Sequence, residues 1–157
     1  MTRSPAGFDL TAPSAADRER LEAGLTAEER DVLLKHGTEA PFCGVLLGEK
    51  RPGVFCCRLC GLPLFGGKTK FESGTGWPSF NAPYDEAHLT LIRDTSYGMV
   101  RTETVCARCG SHQGHVFPDG PPPTGLRYCI NSVALEFVPD GEPLRDPFAR
   151  GDTLAPA

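Results

Sequence analysis

The chain has 157 residues, a net charge of -4 and a pI near 5.5, which allows one buried core and leaves no basic footprint for nucleic acid or anionic lipid. No apolar run is long enough for a membrane-spanning helix and Met1–Leu10 lacks the apolar stretch of a secretory signal, so a cytoplasmic protein is expected. Seven cysteines, an odd number, then point to metal binding or redox chemistry rather than to a disulfide framework.

In chain order, residues 1–13 show no periodicity and are expected to be loose. Ser14–Ala23 predicts a short helix stopped by Gly24. Thr26-Ala27-Glu28-Glu29 has the form of a capping box; Val32, Leu33 and Leu34 supply an apolar face, and Gly37 fits the stop. These helices read as a clamp on the main body, without chemistry of their own. From Thr38 the texture changes. The short runs Gly53–Cys56, Leu62–Phe65, Tyr97–Arg101 and Ser132–Phe137 are punctuated by Gly, Pro, Asp and Asn, the pattern of antiparallel strands joined by loops. Gly120–Gly125, with three prolines, is a stiff loop leading into another strand. Residues 140–157 are polar and Pro-rich and are expected to form a surface tail, leaving one domain over 14–139.

Four motifs carry chemistry. In Arg127-Tyr128-Cys129-Ile130-Asn131-Ser132, strand alternation puts Arg127, Cys129 and Asn131 on one face. A guanidinium beside a thiol favours the thiolate, which is the nucleophile; the plainer alternative is a packed cysteine. Cys57-Arg58-Leu59-Cys60-Gly61 and Cys106-Ala107-Arg108-Cys109-Gly110 are two Cys-x-x-Cys-Gly knuckles that together close a tetrahedral Zn²⁺ site. Four thiolates leave such an ion no open position, so a structural role is expected; Cys56 reads as a strand residue. His112 and His115, three apart behind the second knuckle, suit general acid work, a Cys₂His₂ metal site, or mere surface placement. In Phe71–Phe80, Gly74 and Gly76 form a close-turning loop that displays Trp77 as a pocket wall.

Taken together, Gly37-Thr38-Glu39, the two knuckles, Phe71–Phe80, Cys109–Gly125 and Arg127–Ser132 resemble the methionine-R-sulfoxide reductase family, the B type, over about Leu25 to Phe137. The resemblance implies a mainly β fold, two antiparallel sheets of β-tent type with short N-terminal helices, and one structural Zn²⁺ on Cys57, Cys60, Cys106 and Cys109. It implies Cys129 as nucleophile, flanked by Arg127 and Asn131. His115, or else His112, would be the proton donor, with Asp119 as orienting partner. Trp77 would pack on the substrate methyl group. It further implies an enzyme that reduces methionine R-sulfoxide, free or in proteins, through a Cys129 sulfenic acid, with thioredoxin as reductant; a monomer is expected. Many members carry the resolving cysteine where this chain has Thr75. Cys43, after the Gly-Thr-Glu segment, stands where other members place a resolving thiol; Cys56 is the rival. A competing reading from another class is a zinc-bearing interaction module, which leaves Arg127-x-Cys129-x-Asn131 and the Trp loop unexplained.

Overall fold

The computed structural model describes residues 3–154. Helix α1 (Ala15–Ala23) starts where the Ser14 hydroxyl accepts the Asp17 N–H. Helix α2 (Ala27–Lys35) starts on the expected capping box: Thr26 Oγ1 accepts from the Glu29 N–H at 3.1 Å, and the Glu29 carboxylate accepts from the Thr26 N–H at 2.8 Å. Val32 and Leu33 are its buried residues. The stop falls one residue earlier than Gly37: His36 takes the left-handed conformation, φ 58°, and Gly37 donates to the Asp31 carbonyl. Gly37 serves close approach instead, since a Cβ there would run into Asp31.

Among the described residues, nine strands form two antiparallel sheets. The smaller has the order β2-β1-β9, from β1 (Gly53–Cys57), β2 (Pro63–Gly66) and β9 (Leu135–Pro139). The larger has the order β3-β4-β8-β7-β6-β5. Its strands are β3 (Lys70–Phe71), β4 (Ser79–Phe80), β5 (Leu89–Asp94), β6 (Arg101–Cys106), β7 (His112–Phe117) and β8 (Arg127–Ile130). Phe65 and Phe80 stack with centroids 4.4 Å apart, and Phe55 meets Phe80 edge-on at 5.1 Å, so aromatic contacts join the two sheets through the core. Such pairs add about 0.5–1.5 kcal/mol each beyond the area they bury. On β8 the expected alternation is present: Tyr128 and Ile130 are buried, Arg127 and Cys129 half-buried on the other face.

Two strand boundaries differ from expectation. Ser96–Gly98 is a 3-10 turn with Tyr97 left-handed at φ 56°, so β6 begins only at Arg101. Ser132–Ala134 is another such turn, and β9 begins at Leu135. Near both ends of the chain the described residues make long-range contacts; Met1, Thr2 and 155–157 lie outside the described residues. Phe8 is buried, edge-on to His88 at 5.3 Å, and the Ser4 hydroxyl bonds His88 Nε2 at 2.8 Å. In the tail, Asp152 forms a fully buried ion pair with Arg108 at 2.9 Å, and Arg145 donates to the carbonyls of Arg58 and Leu59. The Arg145 contacts satisfy backbone carbonyls of the first knuckle, a purpose that a polar, Pro-rich composition does not reveal. No helix among the described residues is long and apolar enough to cross a membrane.

Candidate active site and metal centre

Cys57 ends β1 and Cys106 ends β6, so the knuckles lie where the two sheets meet. Each closes with the same backbone device: Gly61 donates to the Cys57 carbonyl and Gly110 to the Cys106 carbonyl, both at 2.8 Å and both with positive φ. The four sulfurs lie within 4.8 Å of one another, with Cys57–Cys109 at 3.6 Å and Cys60–Cys106 at 3.5 Å. Tetrahedral thiolates bonded at about 2.3 Å stand about 3.7 Å apart, so the cage has the right size for one ion. Around it, Ser111 Oγ lies 3.2 Å from both Cys57 Sγ and Cys109 Sγ, and Gln113 Nε2 donates to Cys57 Sγ. All four cysteines are buried, which leaves no open coordination position.

The second centre is a cavity of about 110 Å³ whose lining includes Cys129, His115, Trp77, Phe117, Arg101 and Asn131. Cys129 lies between strands, opposite His115 on β7 and Ser79 on β4. The neighbouring backbones approach so closely that a Cβ at Gly114 would strike the Cys129 carbonyl oxygen. Trp77 is held by its indole N–H, which donates to the Glu39 carbonyl at 3.0 Å. Glu39 also donates its own N–H to Asn131 Oδ1 at 2.9 Å and accepts the Val133 N–H on its carboxylate. Asn131 is buried and in turn donates to the Gln113 carbonyl at 3.0 Å. One buried strap thus fixes both Trp77 and Asn131, and in the sequence Glu39 carried no assigned task.

Burial pushes the Cys129 thiol above its ordinary value; hydrogen bonds from Thr75 and Arg127 and the Arg127 charge act the other way and do not prevail. Thr75 belongs to a hydroxyl chain in which Ser73 Oγ bonds both Thr75 Oγ1 at 2.8 Å and Ser79 Oγ at 2.7 Å. The resting side chain at neutral pH is therefore the thiol. Alkylation of Cys129 by iodoacetamide, followed by mass spectrometry between pH 6 and 10.5, should rise to a midpoint above that of a free thiol. A midpoint near or below 7 would mean that Arg127 outweighs burial.

The expected orienting carboxylate is corrected. Asp119 is exposed and grips Arg127 with two hydrogen bonds, 2.9 and 3.2 Å, while the guanidinium lies over the Phe117 ring at 4.5 Å. The histidines have other partners. His115 Nε2 lies 2.8 Å from Asp94 Oδ2, and His112 Nδ1 lies 2.6 Å from Glu103 Oε2. Hydrogen bonds from Ser96, then from His115, hold the Asp94 carboxyl well below the usual carboxylate range, so an ionised acceptor faces His115. A carboxylate only accepts, so this contact is a hydrogen bond in the tautomer that has its N–H at Nε2. His112 is almost wholly buried, and burial pushes its pKa down against the pull of Glu103.

Two residues three apart on a regular strand face opposite sides, yet these two rings lie 5.6 Å apart. The cause is a bulge. Thr104 pairs with Gly114 while the next residue, Val105, pairs with His112, so Gln113 is an extra residue on β7. It restores the histidines to one side and directs Gln113 toward Cys57. His115 lines the cavity; His112 stands behind it, with its ring 5.2 Å from that of His36.

Of the two thiols considered as partners for Cys129, Cys56 is sealed in β1 with Val54 and Val138, and burial pushes it far up. Cys43 is exposed on a segment without regular structure. That segment runs beside the Trp loop, where Phe42, itself left-handed, donates its N–H to the Gly76 carbonyl at 2.7 Å.

Comparison with known proteins adds a family. The SelR domain matches residues 25–139. A peptide methionine sulfoxide reductase MsrB of Caulobacter vibrioides is 74% identical over 98% of this chain and 96% of its own length. A protein of the same name from Xylella fastidiosa is 61% identical over 92% of this chain and 94% of its length. One from Pseudomonas putida is 57% identical over 73% of this chain and 88% of its length.

Proposed function

This chain belongs to the SelR domain family, and from that premise we propose that it reduces methionine R-sulfoxide to methionine. The observation that carries the reading is the convergence of Cys129, His115 and Trp77 on one cavity. The Cys129 thiol passes its proton to the histidine pair as its sulfur attacks the sulfoxide sulfur, while His115, with His112 behind it, delivers a proton to the sulfoxide oxygen. The S–S bond so formed and the S–O bond then break as the hydroxyl passes to the Cys129 sulfur. Methionine leaves, and Cys129 remains as sulfenic acid, which has taken up the oxidation. Trp77 supports the methyl group, and the cavity shape around it selects the epimer.

A second thiol then condenses with the sulfenic acid, releasing water and forming a disulfide that a thioredoxin dithiol reduces by exchange. We assign this role to Cys43, because it is exposed beside the Trp loop whereas Cys56 is sealed. Cys43→Ser should keep turnover with dithiothreitol, which reduces the sulfenic acid directly, and lose roughly tenfold or more with thioredoxin. Full thioredoxin-supported turnover by the variant would assign resolution to another thiol. Zn²⁺ is the ion assigned to the Cys₄ cage, where soft thiolates in a closed tetrahedron suit it and its work is to hold the sheets together. The protein is read as a cytoplasmic monomer acting on free or protein-bound methionine sulfoxide.

The test is turnover of the separated R and S epimers of N-blocked methionine sulfoxide with dithiothreitol. Reduction confined to the R epimer is expected. No turnover of either by folded, zinc-loaded protein would overturn the reading in favour of an interaction module.

A further inference from the structure

The end of α2 brings together a second set of metal-ligating groups, one of which, His112, also stands behind the proton donor of the reductase mechanism. His36 Nδ1 and His112 Nδ1 both bond one carboxylate oxygen, Glu103 Oε2, at 2.5 and 2.6 Å. The three donors come from separate elements: the left-handed residue after α2, strand β6 and strand β7. We propose that His36, Glu103 and His112 form a binding site for a divalent transition-metal ion of the Zn²⁺ or Co²⁺ class, which when occupied restrains the catalytic histidines.

Two imidazoles and one carboxylate are a donor set for such ions, with further positions left to water. This contrasts with the closed Cys₄ cage. The cluster opens on a cavity of about 500 Å³, lined also by Asp94, Arg101 and His115, which gives solvent and ions access. Nitrogen and oxygen ligands at about 2.0–2.1 Å from a tetrahedral ion stand about 3.3 Å apart, so the rings and the carboxylate need separate by about 0.7–0.8 Å. His36 has the freedom to do so, with 59% of its side chain exposed, while Glu103 and His112 are buried and pre-placed. Charge favours a cation: Glu103 is shared between two rings, and the site lies at the carbonyl end of α2. Arg101, the cation facing the same cavity, is engaged with Asp94 at 3.2 Å. An ion here replaces the protons on the two Nδ1 atoms and holds His112, whose ring lies 5.6 Å from that of His115.

The probe is Co²⁺ titrated into pre-reduced protein whose Cys₄ cage is loaded with zinc, followed by visible absorption in the absence of free thiol. One Co²⁺ per chain should bind with visible d–d bands and no thiolate charge-transfer band. His36→Asn keeps a residue that tolerates the left-handed backbone and removes the imidazole. It should weaken binding roughly tenfold or more, as should Glu103→Gln. His36→Gly, also compatible with positive φ, provides the same comparison if the asparagine variant melts early. Absence of d–d bands at millimolar Co²⁺, affinity unchanged in both His36 variants, or binding abolished by Cys129→Ser would each overturn the site. A single-turnover assay of sulfoxide reduction should be slowed by Co²⁺ in the wild type and not in His36→Asn. That arm rests on the reductase reading; the absorption arm does not, so their failures are distinguishable.

Discussion

Cys129→Ser is expected to lower sulfoxide turnover by roughly a thousandfold or more, with zinc content and melting temperature unchanged. The size of the effect follows from the cavity: among its lining residues Cys129 is the one thiol, and a serine hydroxyl neither attacks the sulfoxide sulfur at neutral pH nor accepts its oxygen. The substitution is nearly isosteric at a half-buried position on β8, so the strand pairing with Ser79 and His115 should persist. The check is initial-rate kinetics with dithiothreitol, beside circular dichroism of both proteins. A variant within tenfold of wild type would remove Cys129 as the nucleophile. If both the folded wild type and the variant were inactive, the reductase reading itself would fall. The two failures are therefore separable.

Cys60→Ser should have the largest structural effect. It removes one ligand from a closed cage that ties β1 of the small sheet to β6 of the large one, and leaves three buried thiols around a gap. Structural zinc sites of this kind contribute about 10–16 kcal/mol in isolated fingers, comparable to the 5–15 kcal/mol by which a whole domain is stable. Even a fraction of that should cost 15 °C or more in melting temperature, since about 1 kcal/mol moves a domain of this size by roughly 2–4 °C. Activity should fall with it, because β7 carries Gln113 onto Cys57 and His115 into the cavity. Metal analysis and thermal unfolding provide the check. Melting within 2 °C of wild type would show that the cage does not support the fold.

Local features of the site were legible because they depend on nearest neighbours in the chain. The Thr26–Glu29 capping box closes within four residues, and each Cys-x-x-Cys-Gly knuckle closes on its own glycine. Alternation on β8 needs only the period of a strand, which is why Tyr128 and Ile130 face inward with Cys129 on the other side. Where the chain is aperiodic this reasoning lapses. Tyr97, Met99 and Val100 are β-like in type yet exposed, at a turn with a left-handed Tyr97. Phe8 and Asp152 lie in segments without regular structure, and their burial depends on long-range partners, His88 and Arg108.

By itself the sequence determined the capping box of α2, the pair of Cys-x-x-Cys knuckles, the strand that carries Cys129 and the loop that displays Trp77. The tertiary structure alone decided which charges meet. The Gln113 bulge brings His112 and His115 to one side, against their three-residue spacing. Asp94 and Glu103 hold the histidines, although Asp119 is the acid nearest to them in sequence. Burial, a sum over every packed neighbour, outweighs Arg127 and keeps Cys129 a thiol. Each of these outcomes depends on distances across strands, and a one-residue change of register would alter all of them.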